Sequence, residues 1–158
     1  SRIKKCYLHN KLVYLYTTSF TFPPPIMNST NQDGIEIISN RGDAFWLFKN
    51  AQNGGKLSAG QYVTVKFPEP RRITSLEMLS LNYETDSDNV DRFSFQASND
   101  NSSWVTLIES NNGYQYTNSW RRYGFTNPNF YTYYRYNFIY GQGGRVTGLS
   151  GLKYHGLK

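Results

Sequence analysis

DRFSFQASNDNSSW, residues 91–104, decides the fold class. Phe93, Phe95 and Ala97 fall on one face of an extended chain and Arg92, Ser94 and Gln96 on the other, the period-two alternation of a half-buried strand. Asn99-Asp100-Asn101 then supplies residues that tolerate the left-handed backbone of a tight reversal. Trp104 opens a second strand running to Ile108. The segment reads as a β-hairpin, and the chain on either side of it reads the same way.

Fourteen Tyr, ten Phe and three Trp against two Met make a strand-former's composition, punctuated about every ten residues by Gly, Asn and Ser clusters. The pattern predicts strands at Gly34–Ile38, Gln61–Phe67, Arg72–Leu81, Arg92–Ser98, Trp104–Ile108, Arg121–Thr126, Phe130–Tyr140 and Gly148–Tyr154, with helix scarce. A chain of 158 residues suits one domain with one core. The expected architecture is all-β: an antiparallel β-sandwich over residues 26–158. Residues 1–25 read as two short strands, Lys5–Leu8 and Leu12–Tyr16, around His9-Asn10-Lys11, followed by a tail ending in Pro23-Pro24-Pro25. Three prolines stiffen that tail into an extended spacer. This start reads either as the end of a shaft or as an edge hairpin packed on the sandwich.

The hairpin also carries a family resemblance. Together with GQYVTVKFPEPRRITSLEM (60–78), FTNPNFYTYYRYNF (125–138) and LSGLKYHG (149–156), it resembles the discoidin or F5/8 type C domain, a galactose-binding-like jelly roll. The likeness covers roughly residues 40–157, with the pieces in the family's order. DAFWLFKN (43–50) is similar to the version found in phage fibres and in sugar-binding modules attached to bacterial enzymes. The resemblance makes Phe45 and Phe48 core residues and leaves Trp46 open between core and site. On the strand 130–140, Tyr131, Tyr133 and Arg135 are expected on one face and Tyr134, Tyr136 and Phe138 on the other.

Successive antiparallel strands reverse direction, so alternate connections emerge at opposite ends of the sandwich. The short ones, Pro68–Arg71, Asn99–Ser103 and Asn127–Asn129, share one end. The long ones, Ser39–Gly60, Asn82–Asp91, Glu109–Trp120 and Gly141–Thr147, share the other, and long loops on a rigid scaffold are where ligands are held. Those loops contain the residue types that suit sugars: aromatic faces for pyranose C–H groups and planar hydrogen-bonding groups for vicinal hydroxyls. The candidate ligand-binding residues are Asn40, Arg41, Asp43, Tyr83, Tyr114, Tyr116, Trp120 and Arg145, with Glu84, Asp86, Asp88 and Gln142 beside them. For Trp120, folding inward onto the core stands as an equal alternative.

Other chemistry finds little support. His9 and His155 are the two histidines, neither beside a nucleophile arrangement in the sequence, and no phosphate loop, zinc spacing or EF-hand pattern occurs. The chain reads as a non-enzyme that needs no cofactor. The family's structural calcium ion would require carboxylates where this chain has Lys49 and Gly151, so no metal is expected. Asp86, Asp88 and Asp91 read as an exposed acidic loop. The net charge of +6 is dispersed apart from Lys4-Lys5, Arg71-Arg72 and Arg121-Arg122, and no nucleic-acid-binding signature accompanies it. No apolar run is long enough for membrane insertion. A lipid-binding role ranks below a glycan one, with only Trp120 beside Arg121-Arg122 pointing to it. Arg41-Gly42-Asp43 matches an integrin-binding tripeptide, a match too short to carry weight. Cys6 is alone and forms no internal disulfide. The start at Ser1, without Met or a signal peptide, fits a piece excised from something longer.

The resemblance therefore implies a non-catalytic carbohydrate-binding module attaching to a cell-surface glycan, at an extracellular or virion surface. It further points to part of a phage fibre or other virion appendage, made multivalent by its parent fibre. The alternative is a structural protein–protein interaction module of such an assembly, contacting fibre or virion neighbours with no sugar site.

Overall fold

Alternating apolar residues give strands whose inner faces meet in one aromatic core. The computed structural model describes residues 2–8, 11–23, 27, 29–42, 44–49, 55–57, 60–80, 90–110, 120–141 and 147–158. In chain order the elements are β1 (Arg2–Leu8), β2 (Lys11–Thr17), β3 (Ser19–Phe22), β4 (Asn31–Gln32), β5 (Ile35–Ser39), a 3-10 turn (Phe45–Phe48), β6 (Gly55–Leu57) and β7 (Tyr62–Ser80). There follow β8 (Val90–Ser98), β9 (Val105–Ser110), β10 (Trp120–Gly124), β11 (Tyr131–Gly141) and β12 (Thr147–Leu157). β1 and β2 form a separate two-stranded antiparallel ribbon.

The other strands make two antiparallel layers joined through β7. Its first part, around residues 62–66, pairs with β5 and β11, placing it in the layer β4-β5-β7-β11-β8-β9. Its second part, residues 72–80, lies between β12 and β10 in the other layer, where β3 and β6 pair with the far edge of β12. The sequence reading split β7 into two strands. The chain does change partners between them, at Pro68-Glu69-Pro70, where two prolines lack the N–H that a continuous ladder needs. Tyr134 fixes this corner from across the core. Its hydroxyl donates to the Arg71 carbonyl at 2.6 Å and accepts from the Ile73 N–H at 3.2 Å, while the Asn127 side chain donates to the Ile73 carbonyl at 2.9 Å. Burial pushes the Tyr134 phenol up to about 12.

The core is a lattice of rings. Phe95 stacks on Tyr134 at 5.8 Å and lies 4.9 Å from Tyr154; Phe93 stacks on Tyr136 at 5.4 Å. Such pairs add specific geometry to the large area each ring buries. The hairpin reads as expected: Phe93, Phe95 and Ala97 are buried, and Asn101 takes the left-handed conformation with φ 60°. Asp100 closes the turn, its Oδ1 accepting from the Ser102 and Ser103 N–H groups at 2.8 and 2.7 Å. Those backbone hydrogen bonds hold its carboxyl well below the usual carboxylate range.

Three expectations need correction. The tail before the prolines is not all spacer, because Ser19–Phe22 pairs with β12 and Phe22 is a core residue packed on Phe48 and Phe67. The Ser-Phe-Thr-Phe alternation was the signal, masked by the prolines beside it; Pro24 and Pro25 lie outside the described residues. β4 and β6 are short edge strands, two and three residues long, with no periodicity to reveal them. Finally, Tyr131 does not share the face of Tyr133 and Arg135. A register shift between Tyr131 and Tyr133 turns it inward, edge-on to Tyr134 at 6.1 Å. Tyr134, Tyr136 and Phe138 are buried as expected.

Candidate functional site

Pairing places the long connections at a common end. Asn40 and Gly60 meet there, Ser80 pairs with Leu149, Trp120 with Leu79, Ser110 with Phe93, and Gly141 with Val90. The short connections meet at the other end, where Asn99 accepts from the Thr132 N–H at 3.0 Å and Asn127 reaches Ile73. The parity of the strands thus sorts the described loop anchors into the two expected groups.

Of the eight candidate residues, Asn40, Arg41 and Trp120 are described. Asp43, Tyr83, Tyr114, Tyr116 and Arg145 lie outside the described residues, as do Glu84, Asp86, Asp88 and Gln142. The Asn40 carboxamide is committed to backbone: its Nδ2 donates to the Gly60 carbonyl at 3.1 Å and its Oδ1 accepts from the Tyr62 N–H at 2.9 Å. Its part is to clasp the two ends of the Ser39–Gly60 connection, not to present a free amide. Arg41 is exposed, with its guanidinium 5.4 Å from the centre of the Trp46 ring. Trp46 is partly buried against the core, next to fully buried Leu47 and Phe48. Phe45 is likewise partly buried and carries Lys49 Nζ 4.6 Å over its ring.

Trp120 does not fold into the core cluster. It lies on the outer face of the second layer, in a cross-strand row with Leu79 and Gly151. A Cβ on Gly151 would stand 2.7 Å from Trp120 Cη2, so the indole rests in the space that glycine leaves open. Lys153, two residues further on the same face, holds its Nζ 3.6 Å over the indole. The sequence reading noted Gly151 only as a missing carboxylate. Its role as a seat for Trp120 follows from register, which one sequence does not display, and Lys153 was missed for the same reason.

Next to this row, His155 Nδ1 and Thr21 Oγ1 share a hydrogen bond at 3.0 Å that links edge strand β3 to β12, and His155 Nε2 lies 3.2 Å from Glu77 Oε1 on β7. Among the described residues no three of His, Cys, Asp and Glu come together as a metal site. No described helix is long and apolar enough to cross a membrane. A cleft of about 220 Å³ opens at the short-connection end, where Phe20, Phe22 and Phe67 meet Pro68, Arg71 and Lys158.

The F5/8 type C domain family matches residues 23–147, most of the chain. This chain belongs to the F5/8 type C domain family. No curated protein matches it. Among solved structures it is similar to the family 32 carbohydrate-binding module of C. perfringens NanJ, solved with galactose. That pair shows 13% identity and a TM-score of 0.58, over 77% of this chain and 93% of the other. The Clostridium perfringens module CpGH89CBM32-5, solved with GalNAc-β-1,3-galactose, is 16% identical with a TM-score of 0.56, over 87% and 94% of the two chains. The AlyQ module, solved with 4,5-unsaturated mannuronic acid, is 17% identical with a TM-score of 0.53, over 75% and 92%. At these identities the likeness establishes the β-sandwich of this F5/8 type C domain, and with it the galactose-binding-like fold class.

Proposed function

We propose that this F5/8 type C domain is a non-catalytic carbohydrate-binding module whose long-loop end holds a cell-surface glycan. The observation that carries the reading is the seat of Trp120: an aromatic ring laid on a glycine, outside the core, at the end where the long connections converge. The indole with the Lys153 ammonium over it, and Arg41 beside Trp46, combine aromatic surface for pyranose C–H groups with hydrogen-bond donors for hydroxyls. Family membership adds weight, because similar modules have been solved with galactose and with a galactose-containing disaccharide.

The wider setting is part of the same proposal. The module works at an extracellular or virion surface, as part of a phage fibre or other virion appendage that presents several copies. Multivalency would then convert modest single-site affinity into firm attachment. A glycan array probed with multivalently displayed protein tests the reading. A hit set sharing one terminal sugar is the expected result. A blank from folded protein would transfer the role to protein–protein assembly.

A further inference from the structure

The outer face of the first layer is set out in rows by its register. Tyr133 stands between Lys66 and Ser98, Arg135 between Thr64 and Gln96, and Asn137 between Tyr62 and Ser94. The short side chains of these rows are covered: Thr64 is 0% exposed and Ser94 6%. Arg135 lies above them, clamped on two sides. Its guanidinium carbon is 4.2 Å from the centre of the Tyr62 ring and 3.9 Å from that of Trp104, and its Nε donates to Thr64 Oγ1 at 2.9 Å. Two rings and one buried hydroxyl thus fix the position of a planar fork.

Charge on this face is unbalanced at that point. Glu36 is paired with Lys66 at 3.2 Å, and Glu109 with Arg92. Among the described residues Arg135 has no carboxylate partner, and its terminal nitrogens have no acceptor. Partial burial disfavours its charged form, lowering its pKa. A preoriented, partly desolvated guanidinium without a counter-ion gains more from a carboxylate than a freely hydrated one does, and it can bind both oxygens at once. Its surroundings are neutral hydrogen-bonding groups: Asn137 donates to Ser94 and Gln96 at 3.1 and 2.8 Å, and Gln96 to Thr106 at 3.2 Å. Such groups suit the hydroxyls of a sugar ring.

We infer that Arg135, held between Tyr62 and Trp104, forms a second recognition point for the carboxylate of an acidic saccharide, on the sheet face and apart from the loop end. The three tryptophans make it testable separately from the glycan site proposed above, since Trp46 and Trp120 belong to the loop end and Trp104 to the clamp. The full chain, labelled with ¹⁵N, is titrated with trigalacturonate and with the neutral galactose trisaccharide while the three indole N–H signals are followed. The Trp104 signal should move with the uronate and not with the neutral sugar, and Arg135→Lys, which keeps charge but loses the fork, should weaken that response by about tenfold or more. A Trp104 signal unmoved by uronate in the parent protein overturns the inference, whatever Trp46 and Trp120 do. So does a folded Arg135→Lys that responds as well as the parent, which would leave the clamp a purely structural ladder. Should Arg135→Lys fail to fold, the parent titration still decides.

Discussion

The two ends of the sandwich solve different problems. At the short-connection end, polar side chains are spent on backbone: Tyr134 and Asn127 hold the β7 corner, Asn99 clasps the start of β11, and Asp100 closes the hairpin. At the long-connection end Asn40 and Ser39 make such clasps too, and Arg41 pairs with Trp46 and Lys153 with Trp120; the short-connection end has cation–ring pairs as well, Arg71 with Phe20 and Arg72 with Phe130. The first arrangement satisfies buried backbone groups that would otherwise be costly to leave unpaired. The second leaves aromatic and charged groups at the surface, where they can meet a ligand. The short-connection end is the more heavily committed to closing the fold, and the proposed glycan site lies at the other.

Substitutions at matched glycines should separate the two most sharply. A Cβ on Gly156 would lie 2.0 Å from the Arg72 carbonyl oxygen, a backbone atom with little room to give. Gly156→Ala should destabilise by about 3 kcal/mol or more in denaturant titration. A loss under 1 kcal/mol, on the order of an ordinary surface change, would show that this approach is not rigid.

The tyrosines give the next effect. Tyr134→Phe removes a hydroxyl that serves the Arg71 carbonyl and the Ile73 N–H, and should cost about 1–3 kcal/mol. Tyr154→Phe should be neutral or mildly stabilising, because its buried hydroxyl has no partner among the described residues. Equal losses from the two would remove the special role assigned to the corner. Alkali probes the same groups. Tyr134 is raised by burial to about 12, and Tyr136 and Tyr154 are also raised by burial. The unfolded phenols ionise near pH 10, so the neutral core favours the folded state fully below about pH 10 and loses that contribution as pH climbs through about 12. Tyrosinate absorbance should therefore lag in the native protein and rise together with unfolding.

Of the three destabilising substitutions, Gly151→Ala carries the smallest expected effect. Its Cβ would meet the indole of Trp120, a side chain that can shift, so a loss of about 1 kcal/mol is expected. Glycan affinity should fall nonetheless, because the ring is displaced from its seat. Unchanged affinity with a displaced indole signal would separate Trp120 from binding.

Much of the fold was legible because alternation, turn chemistry and strand parity are local. Phe93, Phe95 and Ala97 declared their buried face, Asn101 its left-handed turn, and the order of short and long connections anticipated which anchors meet. Three edge strands were not legible: β4 and β6 are too short for a period, and β3 was obscured by adjacent prolines. The inward turn of Tyr131 depended on a register shift, which periodicity extended across the whole strand had to miss. At the candidate site, Trp120 and Arg41 could be named from residue type. The commitment of Asn40 to backbone, the indole on Gly151 and the clamp around Arg135 are products of pairing between distant strands, beyond the reach of spacing alone.

The most direct test is to compare three proteins on one glycan array: the parent, Trp120→Ala at the long-connection end, and Asn129→Ala at the short-connection end. The account predicts that Trp120→Ala abolishes the parent's sugar hits while folding as before, and that Asn129→Ala retains them. Hits that survive Trp120→Ala, or that vanish only with Asn129→Ala, would contradict it.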